Sequence, residues 1–297
     1  MVKAVRFPVA ALASIGAALV IGNISAFAYP SGSLGYDLGY PQCGISFPRT
    51  SVAAVPSLIA SRGPWWSTSR NIAPTRGSAD TSIWYRGYYS FGIIGVDSGY
   101  PFLSPAHPGN PCLAAEYARA PNPGLYINTG YDPSYTDWNH TTPDCQTQSG
   151  SVSGSPDQKA AWAVGCSEAQ GSYGYASSSG ITSAAGWWLD VETQNSWCGQ
   201  PGTACTDLTL NQYTLQGLID TLTHIGALPI GIYSNRTQWS SIVGNLPVTG
   251  PTSDWVATGT RTAQQAVTYC ASANSFSGSP VTLVQFVSGS IDRDVAC

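Results

Sequence analysis

Lysine is almost missing from this chain of 297 residues: Lys3 and Lys159 are the only two, and charged residues of all types make up 9%. With so few charges and no run of one sign, the sequence excludes a coiled coil, an acidic disordered tail and a basic nucleic-acid surface. Histidine is scarce too. His107, His140 and His224 stand alone, no Cys-x-x-Cys occurs, and so nothing has metal-ligand spacing. There is no Gly-x-Gly-x-x-Gly after the first strand and no phosphate-binding loop, which leaves nucleotide binding without support. No Gly-x-Ser-x-Gly elbow is paired with a strand-end histidine, so a serine nucleophile is not expected. The sequence points to no cofactor and no metal.

Long apolar runs are also absent beyond the amino terminus. Lys3 and Arg6 precede an apolar stretch from Val9 to Ile21, and Ala26-Phe27-Ala28 forms a small-x-small cleavage pattern. The run is shorter than the roughly 20 residues a spanning helix needs. Residues 1 to 28 are therefore expected to be a signal peptide, with no membrane span in the mature chain. That segment contains no acid, so the formal charge of −4 becomes −6 once Lys3 and Arg6 leave.

What the sequence does have is 11% aromatic residues, 32 Gly, 21 Pro and eight cysteines. All eight lie after residue 28, and an even count in an exported chain suggests four disulfides. Eight cysteines allow 105 pairings. Two pairings are expected: Cys198 with Cys205, closing a Gly/Pro loop, and Cys270 with Cys297, tying down the carboxyl end.

Short apolar strands alternate with helical stretches, the pattern of βα units around a parallel sheet. Strands are predicted at Leu34 to Leu38, Phe91 to Val96, Leu125 to Asn128, Trp187 to Val191, Ile230 to Tyr233, Trp255 to Ala257 and Thr282 to Phe286. Helices are predicted at Pro111 to Arg119, Asp157 to Tyr175, Leu208 to Ile225, Arg236 to Val243 and Arg261 to Ala273. This is an α/β pattern, expected to form a single irregular (β/α)8 TIM-type barrel, with a doubly wound sheet as the alternative. Residues 29 to 297 read as one domain. Within it, 48 to 89 is a long irregular insertion, and Thr141 to Pro156 has a turn composition that supplies no core.

Four acids stand apart from the rest. Asp37 closes the first strand, Asp190 and Glu192 close Trp187-Trp188-Leu189-Asp190-Val191-Glu192, and Asp292 follows the last predicted strand. Residues i and i+2 of a strand share a face, which puts Asp190 and Glu192 about 7 Å apart at Cα on one wall. In a parallel barrel, acids at the carboxyl ends of strands converge on the mouth. Two close carboxylates split their proton affinities, one raised and one left charged, as glycosidic cleavage requires. Asp97 ends another strand and ranks below these four. Trp188 and Trp255 are candidate sugar-stacking rings.

These residues carry a resemblance. The ordered set Gly35-Tyr36-Asp37 with Gln42, Leu189-Asp190-Val191-Glu192, Gly231-Ile232-Tyr233-Ser234 with Trp239, Trp255-Val256-Ala257, and Val284-Gln285-Phe286 with Asp292 resembles glycoside hydrolase family 25. That family contains N-acetylmuramidase-type lysozymes on an irregular TIM barrel. Tyr40-Pro41-Gln42-Cys43-Gly44 with Asn110-Pro111-Cys112-Leu113 resembles a secreted actinobacterial branch of the same superfamily. The resemblance implies that Glu192 is the general acid and that Asp190 orients the substrate's N-acetyl group as it attacks the sugar carbon. Asp37 and Asp292 would bind the sugar or tune the central pair, with Tyr126, Asn128, Tyr233 and Gln285 as further cleft residues. The implied partner is a polysaccharide, peptidoglycan, met outside the cell or in its wall by a monomer with no nucleic-acid role. Leu38-Gly39 and Tyr126-Ile127-Asn128 depart from the family's usual Val-Ser and Tyr-His, and the 48 to 89 insertion has no counterpart there. The alternative reading is a catalytically inactive carbohydrate-binding or envelope protein on the same barrel, and a third is a disulfide-stabilised interaction protein.

Overall fold

The computed structural model describes residues 27, 29–44, 89–104, 107–133, 141–203, 205–289 and 291–297. The segment expected to be a signal peptide, apart from Phe27, lies outside the described residues, as do His140 and all of the expected insertion except Tyr89. Eight strands close a barrel in sequence order: β1 (Leu34–Leu38), β2 (Tyr89–Gly95), β3 (Gly124–Asn128), β4 (Trp187–Asp190), β5 (Ile230–Ser234), β6 (Ser253–Ala257), β7 (Val281–Ser288) and β8 (Ile291–Ala296). Closure excludes the doubly wound alternative. The first seven strands are parallel, and β8 runs antiparallel to both β7 and β1.

The eighth strand corrects the expectation that Asp292 merely follows the last strand. Ser288 pairs with Ile291 across the β7–β8 connection, which begins at Gly289, whose φ of 84° suits a reversal of the chain. The chain turns back at the mouth, so Asp292 sits at the start of β8 and directly opposite Asp37 at the end of β1. The reversed direction brings an amino-terminal residue to the same rim as the carboxyl ends of the other strands.

Outside the barrel lie α1 (Leu113–Arg119), α2 (Pro143–Ser149), α3 (Pro156–Ser178), α4 (Leu208–His224), α5 (Arg236–Ile242) and α6 (Ala263–Ala266). Ser155 caps α3 through a reciprocal capping box with Gln158, and Asp207, Asn235 and Thr262 cap α4, α5 and α6. The helix predicted over Arg261 to Ala273 is instead one short helix followed by two 3-10 turns. Thr141 to Pro156 also departs from expectation. Thr142 caps α2 within it, and Cys145 is fully buried beside Trp162 and Cys166. A disulfide recruits a polar segment into the core that its composition does not advertise. α3 and α4 touch backbone to backbone. A Cβ on Gly165 would lie 1.8 Å from the Thr214 carbonyl oxygen, and one on Gly217 would lie 2.1 Å from that of Trp162.

The disulfides are Cys43–Cys112, Cys145–Cys166, Cys198–Cys205 and Cys270–Cys297, so both expected pairings are present. His107 lies in a loop against Tyr100, and His224 is exposed at the end of α4. No helix among the described residues is long and apolar enough to cross a membrane.

Inside the barrel the side chains form two zones. The lower zone is apolar: Phe91, Ile93, Trp188, Trp255 and Leu283 pack together, and Phe27 stacks on Trp188 at 4.0 Å between ring centroids from below. The upper zone is polar and contains the acids.

Candidate active site

Strand register assembles the mouth. Asn128 pairs with Asp190, Asp190 with Tyr233, and Tyr233 with Trp255, while Asp37 pairs with Asp292 on the far side. Alternation along each strand turns Asp37, Tyr126, Asp190, Tyr233, Gln285, Asp292 and Asp294 inward together.

Asp190 is 7% exposed at the end of β4. Its main-chain oxygen accepts from Thr129 N (3.1 Å), Thr129 Oγ1 (2.6 Å) and Asn195 Nδ2 (3.2 Å), which anchors the residue. Its carboxyl Oδ1 is buried and has no hydrogen-bond partner. Burial, then the neighbouring Glu192 charge, push Asp190 well above the usual carboxylate range. Glu192 is half-buried just beyond the strand, and its Oε1 accepts from Gln238 Nε2 at 3.1 Å. Burial also raises Glu192; the Gln238 bond pulls it down and Asp292 pushes it up. Two interacting acids of this kind titrate as a pair.

Gln238 is a site residue that sequence reasoning missed. Asn235 Oδ1 accepts from its backbone nitrogen at 3.0 Å as the cap of α5, and Gln238 Oε1 accepts from Thr193 N at 2.6 Å. Asn235-x-x-Gln238 reads in sequence as a helix start, and nothing there says that the glutamine turns back onto Glu192.

From β5, next to Asp190, Tyr233 Oη donates to Gln285 Oε1 on β7 (2.7 Å), and Gln285 Nε2 donates to Asp37 Oδ2 on β1 (3.0 Å). Three of the expected cleft residues thus form one relay. Burial, then Asp292, push Asp37 up to about 8, with bonds from Gln285 and Asp294 acting the other way. Asp292 is half-buried and raised by burial. Asp294 lies one step below it on the same face, fully buried, and accepts from Trp255 Nε1 at 2.8 Å. Sequence reasoning passed over Asp294, because an Asp-Arg-Asp run reads as a surface loop when the last strand is not recognised.

Tyr126 is half-buried, and burial, then Asp97, Asp37 and Asp190, raise its hydroxyl well above its usual range. Asn128 faces Asp97: its backbone nitrogen and Nδ2 donate to that carboxylate at 2.8 and 2.6 Å. Burial lifts Asp97 to about 6 against those bonds, so its role here is to hold the end of β3. Trp188 and Trp255, 0% and 2% exposed, fill the barrel interior beneath the mouth and have no face open for a sugar, which corrects their expected stacking role. Gln42 is turned to its own chain, where its Oε1 accepts from Gly39 N at 2.9 Å. No group of three His, Cys, Asp or Glu residues among the described ones is arranged to hold a metal ion. Chemically, the mouth offers paired carboxyls with elevated proton affinity beside neutral donors.

No protein-family model matches the chain, and no curated protein matches it. Solved structures similar to it include the modular autolysin LytC from Streptococcus pneumoniae, determined with a synthetic peptidoglycan ligand (12% identity, TM-score 0.46, 89% of this chain). The chain spans 46% of the length of LytC. It is also similar to a muramidase from Trichobolus zukalii (14% identity, TM-score 0.44, 89% of this chain and 93% of that one). A third is GHIP, a glycosyl hydrolase 25 of Streptococcus pneumoniae (15% identity, TM-score 0.40, 70% of this chain and 77% of that one).

Proposed function

We propose that this chain is an exported glycoside hydrolase that cleaves a cell-wall polysaccharide, peptidoglycan, between N-acetylmuramic acid and N-acetylglucosamine. The observation that carries the reading is the pairing of a half-buried Glu192, held by Gln238, with a buried Asp190 whose Oδ1 has no partner. In the free protein the more deeply buried Asp190 retains the pair's proton. A substrate N-acetyl group brings an amide N–H to the unpartnered oxygen, which favours ionised Asp190 and leaves the proton with Glu192.

Glu192 then protonates the leaving glycosidic oxygen while the acetamido carbonyl oxygen attacks the anomeric carbon, and the bond to the leaving oxygen breaks. Ionised Asp190 stabilises the positive charge that develops on the acetamido group. Water next attacks the anomeric carbon, whose bond to the acetamido oxygen breaks to restore the N-acetyl group, and Glu192, now a carboxylate, takes the water's proton. Asp37, Gln285 and Asp292 across the mouth, with Tyr126 and Tyr233 on the strands flanking Asp190, bind sugar hydroxyls; Asn128 supports the end of β3 through Asp97. Residues 1 to 28 as an export signal, and four disulfides of the kind that persist in oxidising compartments, support action outside the cell. The chain acts as a monomer.

The test is reducing-end release from purified peptidoglycan by the protein, Glu192→Gln and Asp190→Asn. Each substitution is expected to lower release by about 10²–10⁴-fold. Unchanged release by Glu192→Gln refutes the assignment. No release by any version, with retained pelleting on the wall, would make the protein a carbohydrate-binding one.

A further inference from the structure

Asp294 has no part in the reaction just described, yet it is the most deeply buried acid on the barrel's inner wall, at 0% exposure. β8 pairs Asp292 with Asp37 and Asp294 with Gly35, so all three acids share one face at the seam between the last strand and the first. The Asp37 and Asp294 carboxyls lie against each other on that face, close enough to share a hydrogen bond. A bond between two carboxyl groups requires a proton on one of them. Asp37 is half-buried and already accepts from Gln285, while Asp294 Oδ1 accepts from the Trp255 indole. That leaves Asp294 Oδ2, a buried atom that receives no hydrogen bond from any donor.

We propose that Asp294 is a neutral carboxylic acid whose Oδ2–H donates to the Asp37 carboxyl group, making Asp294 a positioning residue for the substrate-binding wall. Burial, then Asp37, raise Asp294 well above the usual carboxylate range, with the Trp255 bond acting the other way. The other titratable groups facing the pair are Asp292 and Glu192 at the mouth, Tyr233 through Gln285, and the Tyr29 hydroxyl below. Two of these are carboxylic acids, so an added anion at Asp294 would meet repulsion. A neutral donor there orients Asp37 toward the cleft without adding negative charge to a mouth that must keep a proton on Glu192. The catalytic consequence rests on the glycosidase reading; the shared proton does not.

Two variants separate the possibilities. Asp294→Asn keeps a donor for Asp37 but has no ionisable proton, and Asp294→Leu removes the donor while keeping the branched side-chain shape. In the infrared difference spectrum of the native protein against Asp294→Asn at neutral pH, the carbonyl stretch of a protonated carboxyl group is expected in the native protein and absent from the variant. Turnover of peptidoglycan is expected to fall about tenfold or more in kcat for Asp294→Leu, with most of that loss recovered by Asp294→Asn. Absence of the carbonyl difference overturns the shared proton, whether or not the leucine variant folds. Equal impairment of the two variants overturns the positioning role. A native protein with no turnover refutes the glycosidase reading and the positioning role together, while the infrared band still decides the proton.

Discussion

Phe27 tests whether the amino-terminal segment is a working part of the barrel. Its ring is 8% exposed, stacks on Trp188 at 4.0 Å with 21° between planes, and occupies space that only a glycine at 186 leaves open. A Cβ at Gly186 would lie 1.9 Å from the ring. Replacing a buried Phe by Ala typically costs about 3–5 kcal/mol, from lost transfer free energy and the cavity left behind. The floor of the barrel borders solvent, and water entering the gap relieves part of the cavity cost, so Phe27→Ala is expected near the lower end, about 3 kcal/mol. That is roughly a hundredfold shift in the unfolding equilibrium, and a fall of about 6–12 °C in melting temperature for a domain of this size. Denaturant unfolding followed by tryptophan fluorescence measures it directly, because Trp188 is the partner that loses its cover. A chain beginning at Tyr29, which cleavage at the expected site after Ala28 would give, lacks the same ring and is expected to show the same deficit. A loss below about 1 kcal/mol in Phe27→Ala would refute the packing argument.

Other expectations follow from the disulfides, the titrating acids and the glutamine on Glu192. Cys43–Cys112 closes the longest loop, with a sequence separation of 69, so replacing both cysteines by serine is expected to cost roughly 4 kcal/mol on loop entropy, read from urea unfolding of the two forms. Asp97 binds protons more tightly folded than unfolded: its contribution to stability is full below pH about 4 and is lost as pH rises through about 6, some 3 kcal/mol in all. Asp37 continues the decline toward pH 8. Unfolding measured across that range should show stability falling with pH, with a shallower slope between pH 4 and 6 in Asp97→Asn; a stability that rises over this window contradicts the sign. Gln238→Leu removes a donor that favours ionised Glu192, so the alkaline limb of the activity profile should move to higher pH. A limb that stays in place would show that another group sets it.

Much of this molecule is legible in its residues taken in order. Seven strands were marked by short apolar runs with turn residues between them, because burial on both faces of a barrel strand leaves a continuous apolar signature. The helix over Leu208–His224 announced itself through the stripe of Leu215, Leu218 and Leu222. Strand parity alone put Asp190 and Glu192 on one wall. What tertiary structure decided were the features that depend on partners distant in sequence. β8 was hidden because its inward positions, Asp292 and Asp294, face a polar mouth, and that inverts the alternation by which a strand is recognised. Trp188 and Trp255 look like sugar platforms until the closed barrel buries them. Gln238 reached Glu192, and Asp294 reached Asp37, only when separate strands and a helix start met at one rim. A side chain's periodicity records which way it points from its own element, whereas its protonation and its partners are set by what the rest of the chain brings against it.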